Sequence, residues 1–288
     1  MELENLKRMS LRYLQASPAA GPPPLTGLAV FKRETVSDLE AALYEPVVCL
    51  ILQGRKKTSM GTQFAEVGPG DALLVSHHVP VLSRITQASA NAPYIAVTVT
   101  LDLSLMRSLY DLVADAPQLS DPARSFTPCR ADPVWLATLG RYLDLLGRPI
   151  DRRVLGPAIL RELHYRLLMS PVGGMLRSLL TVDSRASRIA SAIQALRTDF
   201  RQLPAVPELA RLAGMSETSF HHHFKAVTGT TPLQYQKALR LIAARTLLIE
   251  QGRSVSEAAF SVGYESPTHF SRDYRRKFGQ PPSKQQPD

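Results

Sequence analysis

Two cysteines, Cys49 and Cys129, are all that the 288-residue chain contains, and they stand far apart. That excludes a disulfide framework and the paired spacing of a zinc site. Apolar runs are short; none approaches the roughly 20 residues that cross a bilayer. The opening MELENLKRMS is too charged for a secretory leader. A cytoplasmic protein with no membrane partner is expected. Acidic residues are in deficit, 25 against 34 Lys and Arg, for a formal net charge of +9. Residues 183–288 hold 15 basic and 9 acidic side chains, a net of +6, against +3 for everything before them. A positive excess gathered in one part of a chain is the electrostatic footprint of a nucleic-acid partner. On its own it is a weak sign.

The length predicts two domains. Residues 1–24 carry a helical pattern (LENLKRMSLRYL) that AGPPP at 20–24 breaks. Residues 25–170 form the first domain. Its runs at 47–52, 71–75 and 94–99 are short and β-branched, with turns at Gly61 and at 68–71, which predicts a small sandwich or barrel. Apolar stripes of helical period follow at 104–116, 133–146 and 157–169. Residues 171–183 open with Pro-Val-Gly-Gly and read as a linker. Residues 184–285 read as an all-helical second domain, and the tail QPPSKQQPD lacks periodicity.

The second domain contains an internal repeat. VPELARLAG at 206–214 returns as VSEAAFSVG at 255–263. Beyond each glycine, Phe220 matches Phe270, Phe224 matches Tyr274, Gly229 matches Gly279 and Pro232 matches Pro282, with one extra residue in the second copy. Each copy reads as a short helix, a glycine turn and a second helix. Ala210 and Ala259 allow close helix crossing. Ser216 and Ser266 stand at N-cap positions, and Gly229 and Gly279 at C-terminal stops. On a helical wheel, Phe220, Phe224 and Val227 share an inward face, as do Phe270 and Tyr274. The opposite faces present Thr218, His221, His222 and Lys225 in one copy, and Thr268, Ser271, Arg272, Arg275 and Arg276 in the other. Guanidinium and hydroxyl groups suit the edges and phosphates of a major groove. A merely solvated polar face is an even alternative for one such helix, and a poor one for two with matching turns and caps. Residues 232–251 predict a single helix holding the units at fixed separation, so that they enter successive grooves roughly 34 Å apart.

LARLAGMSETSFHHHFKAVTGTTPLQYQKALRLIAARTLL and AAFSVGYESPTHFSRDYRRKFGQPPS resemble the DNA-binding domain of the AraC/XylS family of bacterial regulators. The resemblance implies double-stranded operator DNA as partner, contacted by both recognition helices, and RNA polymerase as a partner if the protein activates. Carried over by position, the base-facing candidates are Thr218, His221, His222, Thr268, His269, Ser271 and Arg272. The three consecutive histidines depart from the pattern and predict weaker or pH-sensitive base reading.

LYEPVVCLILQGRKK, VGPGDALLVSHHVP and APYIAVTVTLD resemble the N-terminal domain of one subgroup of that family. This implies a cupin-like jelly roll with flanking helices, so that the whole is an α+β chain. It also implies a small-molecule effector, a homodimer through helices between 133 and 170, or both. Cupin metal sites use a His-x-His and Glu cluster with a later His. Here only adjacent His77 and His78 occur, and neighbours on a strand face opposite ways. No metal, cofactor or catalytic residue is therefore expected. An enzyme with a DNA-binding appendage, or a domain used only to dimerise, are the alternatives. Cys49 reads first as a buried apolar residue, and second as a thiol lining an effector pocket with Tyr44, His78 and Tyr94. The run Arg55-Lys56-Lys57 reads as a solvated hairpin end.

Overall fold

A computed structural model describes residues 2–17, 23–113, 124–201 and 205–284. Most of the expected break at 20–24, the end of the 104–116 stripe and the last four residues of the tail lie outside the described residues.

Helix α1 (Glu2–Ala16) buries Leu6, Ser10 and Tyr13 along one face. The Tyr13 hydroxyl donates to the Leu28 carbonyl at 2.6 Å, which ties α1 to the sandwich. Eight strands follow: β1 (Leu28–Arg33), β2 (Glu40–Tyr44), β3 (Val47–Gln53), β4 (Arg55–Met60), β5 (Gln63–Val67), β6 (Asp71–Val75), β7 (Val79–Gln87) and β8 (Tyr94–Thr100). A ninth, β9 (Phe126–Arg130), arrives after helix α2 (Leu103–Tyr110). The sheets run β1-β8-β3-β6-β9 and β2-β7-β4-β5, with antiparallel pairing throughout. This is the expected two-sheet sandwich. Strand β9 has no obvious sequence signal, because Pro128 interrupts its pattern; proline is tolerated there because β9 is an edge strand.

Strand β3 explains the continuous apolar run around Cys49. Val48, Leu50 and Leu52 face the helices, while Cys49 and Ile51 face the sandwich interior. A strand covered on both sides loses polar alternation. The covering layer is α1, α2, α3 (Pro133–Leu143) and α4 (Pro149–Met169). Asp102 and Asp132 cap α2 and α3, each accepting two amides at their first turns.

Residues 171–183 are not an extended linker. Pro171–Gly173 forms a 3-10 turn and α5 (Gly174–Leu180) buries Met175, Leu176, Leu179 and Leu180. The glycine at 173 marks a close approach: a Cβ there would lie 2.4 Å from the Leu168 carbonyl oxygen.

The remaining helices are α6 (Arg185–Thr198), α7 (Val206–Leu212), α8 (Glu217–Thr228), α9 (Pro232–Ile249), α10 (Val255–Ser261) and α11 (Pro267–Phe278). Pairs α7–α8 and α10–α11 are the two repeat units, and α9 joins them as one helix of 18 residues. One apolar cluster lies between the sandwich and α1–α5. A second passes from the sandwich interior into the first unit, and a third fills the second unit.

Candidate nucleic-acid interface and effector pocket

The second helix of each unit begins on a serine. Ser216 Oγ accepts the Ser219 amide at 3.3 Å, and Ser266 Oγ accepts the His269 amide at 3.4 Å. Each ends on glycine in the left-handed region, φ 67° at Gly229 and 77° at Gly279. The preceding turns do the same at Gly214 and Gly263. These devices fix where α8 and α11 start and stop, and therefore which side chains face out.

Phe220, Phe224 and Val227 of α8 are buried, as are Phe270 and Tyr274 of α11. Thr218, His221, His222 and Lys225 are exposed on α8. Thr268, His269, Arg272, Arg275 and Arg276 are exposed on α11, with Ser271 half-buried at the edge. His223 turns partly inward, and burial lowers its pKa. Arg276 is less available than its exposure suggests, because it pairs with Asp273 at 2.8 Å. Asp273 also pairs with Lys237 of α9 at 2.7 Å. Burial pushes the Asp273 carboxyl up, but Lys237 and Arg276 outweigh it and hold its pKa below the usual range. The result is a buried anchor between α9 and α11.

The sandwich encloses a cavity of about 470 Å³ whose lining includes Tyr44, Cys49 and Tyr94. His78 is elsewhere. It sits where the sandwich meets the helical domain, and its carbonyl accepts the Tyr235 hydroxyl at 2.7 Å. The cavity instead takes Lys56, from the basic run expected to be solvated. Arg55 and Lys57 are exposed, but strand alternation sends the middle residue inward. Lys56 Nζ donates to the Tyr44 hydroxyl and lies 5.0 Å from the centre of its ring. No carboxylate pairs with Lys56 among the described residues, whereas Arg33 on the rim pairs with Glu40. Burial disfavours the Lys56 ammonium, yet its pKa is raised, with the Tyr44 hydrogen bond and the Glu40 charge among the influences that favour it. Burial raises the Cys49 thiol and the Tyr94 phenol, so neither is ionised near neutrality. A buried neutral thiol is a poor nucleophile. Arg245, from α9, completes part of the rim.

His77 is buried, with Nδ1 2.9 Å from Ser76 Oγ and Nε2 3.4 Å from the Ala186 carbonyl. No group of three or more metal-ligating side chains occurs among the described residues. No described helix is long and apolar enough to cross a membrane.

Residues 24–175 match the AraC-type transcriptional regulator N-terminus, and residues 209–286 match a helix-turn-helix domain. The transcriptional activator RhaS of Escherichia fergusonii is 36% identical over 106 residues, which is 36% of this chain and 38% of RhaS. The uncharacterized regulator YidL of Escherichia coli is 34% identical over 101 residues, 35% of this chain and 34% of YidL. The chain therefore spans little more than a third of the curated relatives it matches. The fold is similar along most of its length to that of wild-type ToxT of Vibrio cholerae, solved with an unsaturated fatty acid. That likeness has a TM-score of 0.56 at 11% identity and covers 89% of this chain and 93% of ToxT. ToxT bound to a naphthalenyl butenoic acid gives 0.53 at 14% identity, covering 89% and 96%. With an N-terminal match over more than half its length and a helix-turn-helix match behind it, the chain belongs to the AraC-type transcriptional regulators.

Proposed function

We propose that the protein is a sequence-specific regulator of transcription that grips double-stranded operator DNA with α8 and α11 and responds to a small molecule held in its sandwich. The observation that carries this is the pair of capped, glycine-stopped helices with exposed hydroxyl, imidazole and guanidinium faces, mounted on one continuous helix. Helix α9, about 27 Å long, sets the two units apart on the scale of the roughly 34 Å between successive major grooves. Thr218, His221, His222, Thr268, His269, Ser271 and Arg272 read base edges; Lys225, Arg275 and Arg276 serve phosphates and make binding salt-dependent. Such a regulator works in the cytoplasm beside the chromosome, with RNA polymerase as partner at promoters it activates. It is not an enzyme and needs no cofactor. Exposed Ile150, Val154 and Tyr165 along α4 suit a homodimer contact.

The effector occupies the cavity around Tyr44, Cys49, Lys56 and Tyr94. A half-buried ammonium whose direct partner is a phenol, with no carboxylate in salt-bridge reach among the described residues, suits a small organic acid with an apolar body, the kind of ligand with which ToxT was solved. Two experiments test this reading. Purified full-length chain is mixed with sheared genomic DNA at moderate salt and the retained DNA is sequenced; sharp peaks support it, and uniform retention sinks it. Melting temperature is then followed with decanoate and with decanol, for the native chain and for Lys56→Met. Stabilisation of the native chain by the acid alone, lost in the variant, supports the pocket. No shift with either leaves the sandwich a dimerisation module.

A further inference from the structure

A helix leaves its last four carbonyls without partners inside the helix. In α8, the first recognition helix, donors for two of these, Ala226 and Val227, and for the carbonyl of the stop residue Gly229 come from the N-terminal sandwich. Ser125, directly before β9, donates its amide to the Val227 carbonyl at 3.2 Å and its hydroxyl to the same oxygen at 2.6 Å. Thr62, in the β4–β5 turn, donates its amide to the Gly229 carbonyl at 3.1 Å. Gln63 Nε2 reaches the Ala226 carbonyl at 3.4 Å.

The turn and the helix end meet backbone to backbone. A Cβ on Gly61 would lie 2.1 Å from the Gly229 carbonyl oxygen, and one on Gly229 would lie 2.5 Å from that of Met60. Both positions therefore need glycine for the approach, beyond their positive φ angles. Behind this contact, Met60, Ala65 and Phe126 share one apolar cluster with Phe220, Phe224, Val227 and Tyr235.

Among the described residues the second unit has no such arrangement. Among these residues, its cluster takes Ala41 and Leu82 from the sandwich. Helix α11 ends in exposed Gly279 and Gln280. The repeat that the sequence presents as two equal copies is mechanically unequal. The contact also leaves Thr218, His221, His222 and Lys225 exposed, so it does not block the face turned toward DNA.

We propose that the sandwich is the C-terminal cap of the first recognition helix, and that Thr62 and Ser125 are positioning residues for DNA reading by α8. Neither touches DNA. They hold the last turn of α8, and with it the direction of the helix, against a rigid two-sheet frame, whereas α11 packs on α9, α10 and the turn that follows it. This rests on the DNA-reading role proposed above.

The test uses the full chain. Asn tolerates the left-handed region, so Gly61→Asn keeps the β4–β5 turn while its side chain collides with Gly229. Ser125→Ala removes one capping hydroxyl, and Ser125→Thr retains it. Hydrogen exchange is measured on the free proteins. Binding is measured on the fragment most enriched by the native chain, and on two versions of it with one half-site scrambled. In Gly61→Asn and Ser125→Ala, α8 amides exchange up to about tenfold faster, the scale of one lost hydrogen bond, while α11 amides are unchanged. Discrimination at the half-site read by α8 falls, discrimination at the other half-site stays, and Ser125→Thr behaves as the native chain. Unchanged α8 exchange overturns the cap. Equal loss at both half-sites, following a lower melting temperature, reduces the contact to general stability and overturns the positioning role. If the native chain enriches no fragment at all, the DNA reading beneath the proposal has failed, while the exchange data still decide the cap.

Discussion

Lys237 on α9 holds the carboxylate of Asp273 on α11 at 2.7 Å, and Asp273 is only 6% exposed. This pair joins the connecting helix to the second recognition helix. Asp273→Ala leaves Lys237 without its partner and destabilises the second unit by about 2–3 kcal/mol, below the range for fully buried pairs because both cations reach solvent. Denaturant unfolding measures the cost, and a loss under about 0.5 kcal/mol, the scale of an ordinary surface change, counts against the anchor. The pH direction follows from the lowered pKa. The pair contributes fully above the usual Asp value of 3.8 and is lost as pH falls through the depressed one.

Arg272 and Arg276 stand one helical turn apart but differ in freedom. Arg276 is held by Asp273, and Arg272 has no ion pair among the described residues. Arg272→Ala costs about 1–3 kcal/mol on the selected site and relaxes preference at one base pair if it reads guanine. Arg276→Ala weakens binding evenly across sequences. Equal losses for Arg272→Ala on specific and scrambled DNA would reassign Arg272 to phosphate.

His77 sets a pH limit of its own. Burial lowers its pKa from 6.5 to about 4, so the folded protein keeps the imidazole neutral while the unfolded chain protonates it. Stability from this group is complete above 6.5 and drains away between 6.5 and about 4. Such a shift corresponds to about 3 kcal/mol. Comparing native and His77→Gln unfolding at pH 7.5 and pH 4.5 reads it out: the native chain loses more on acidification. Parallel losses would mean that His77 titrates normally.

Phe270 is fully buried and contacts both Tyr264 and Tyr274 edge-on or tilted. Phe270→Ala costs about 3–5 kcal/mol and loosens α11 first. Hydrogen exchange localised to α10 and α11 is the expected pattern. Stability equal to that of the native chain would contradict the packing of that helix.

The helical domain was legible because its determinants are local. Ser216, Gly229, Ser266 and Gly279 each act within one turn of the residue they cap, and the repeat displays them twice. The sandwich interior was partly legible: Tyr44, Cys49 and Tyr94 converge, while His78 belongs to the junction. Lys56 escaped because three basic residues in a row look solvated until the alternation of β4 is applied to them. Strand β9 and helix α5 escaped because Pro128 and Gly173 serve an edge and a close contact, which only the partners across space reveal. The contact between Gly61 and Gly229 joins residues 168 positions apart by number and leaves no periodic trace.

Strand β4 carries Lys56 near one end and runs into Gly61 at the other. It is hydrogen-bonded on both edges, to β5 and to β7. Five residues of strand, about 17 Å, are all that separate the ammonium in the cavity from the last turn of the first recognition helix. No loop interrupts that path, so there is nowhere along it for slack to gather. On the function proposed above, the distance between sensing and reading is the length of a single taut filament.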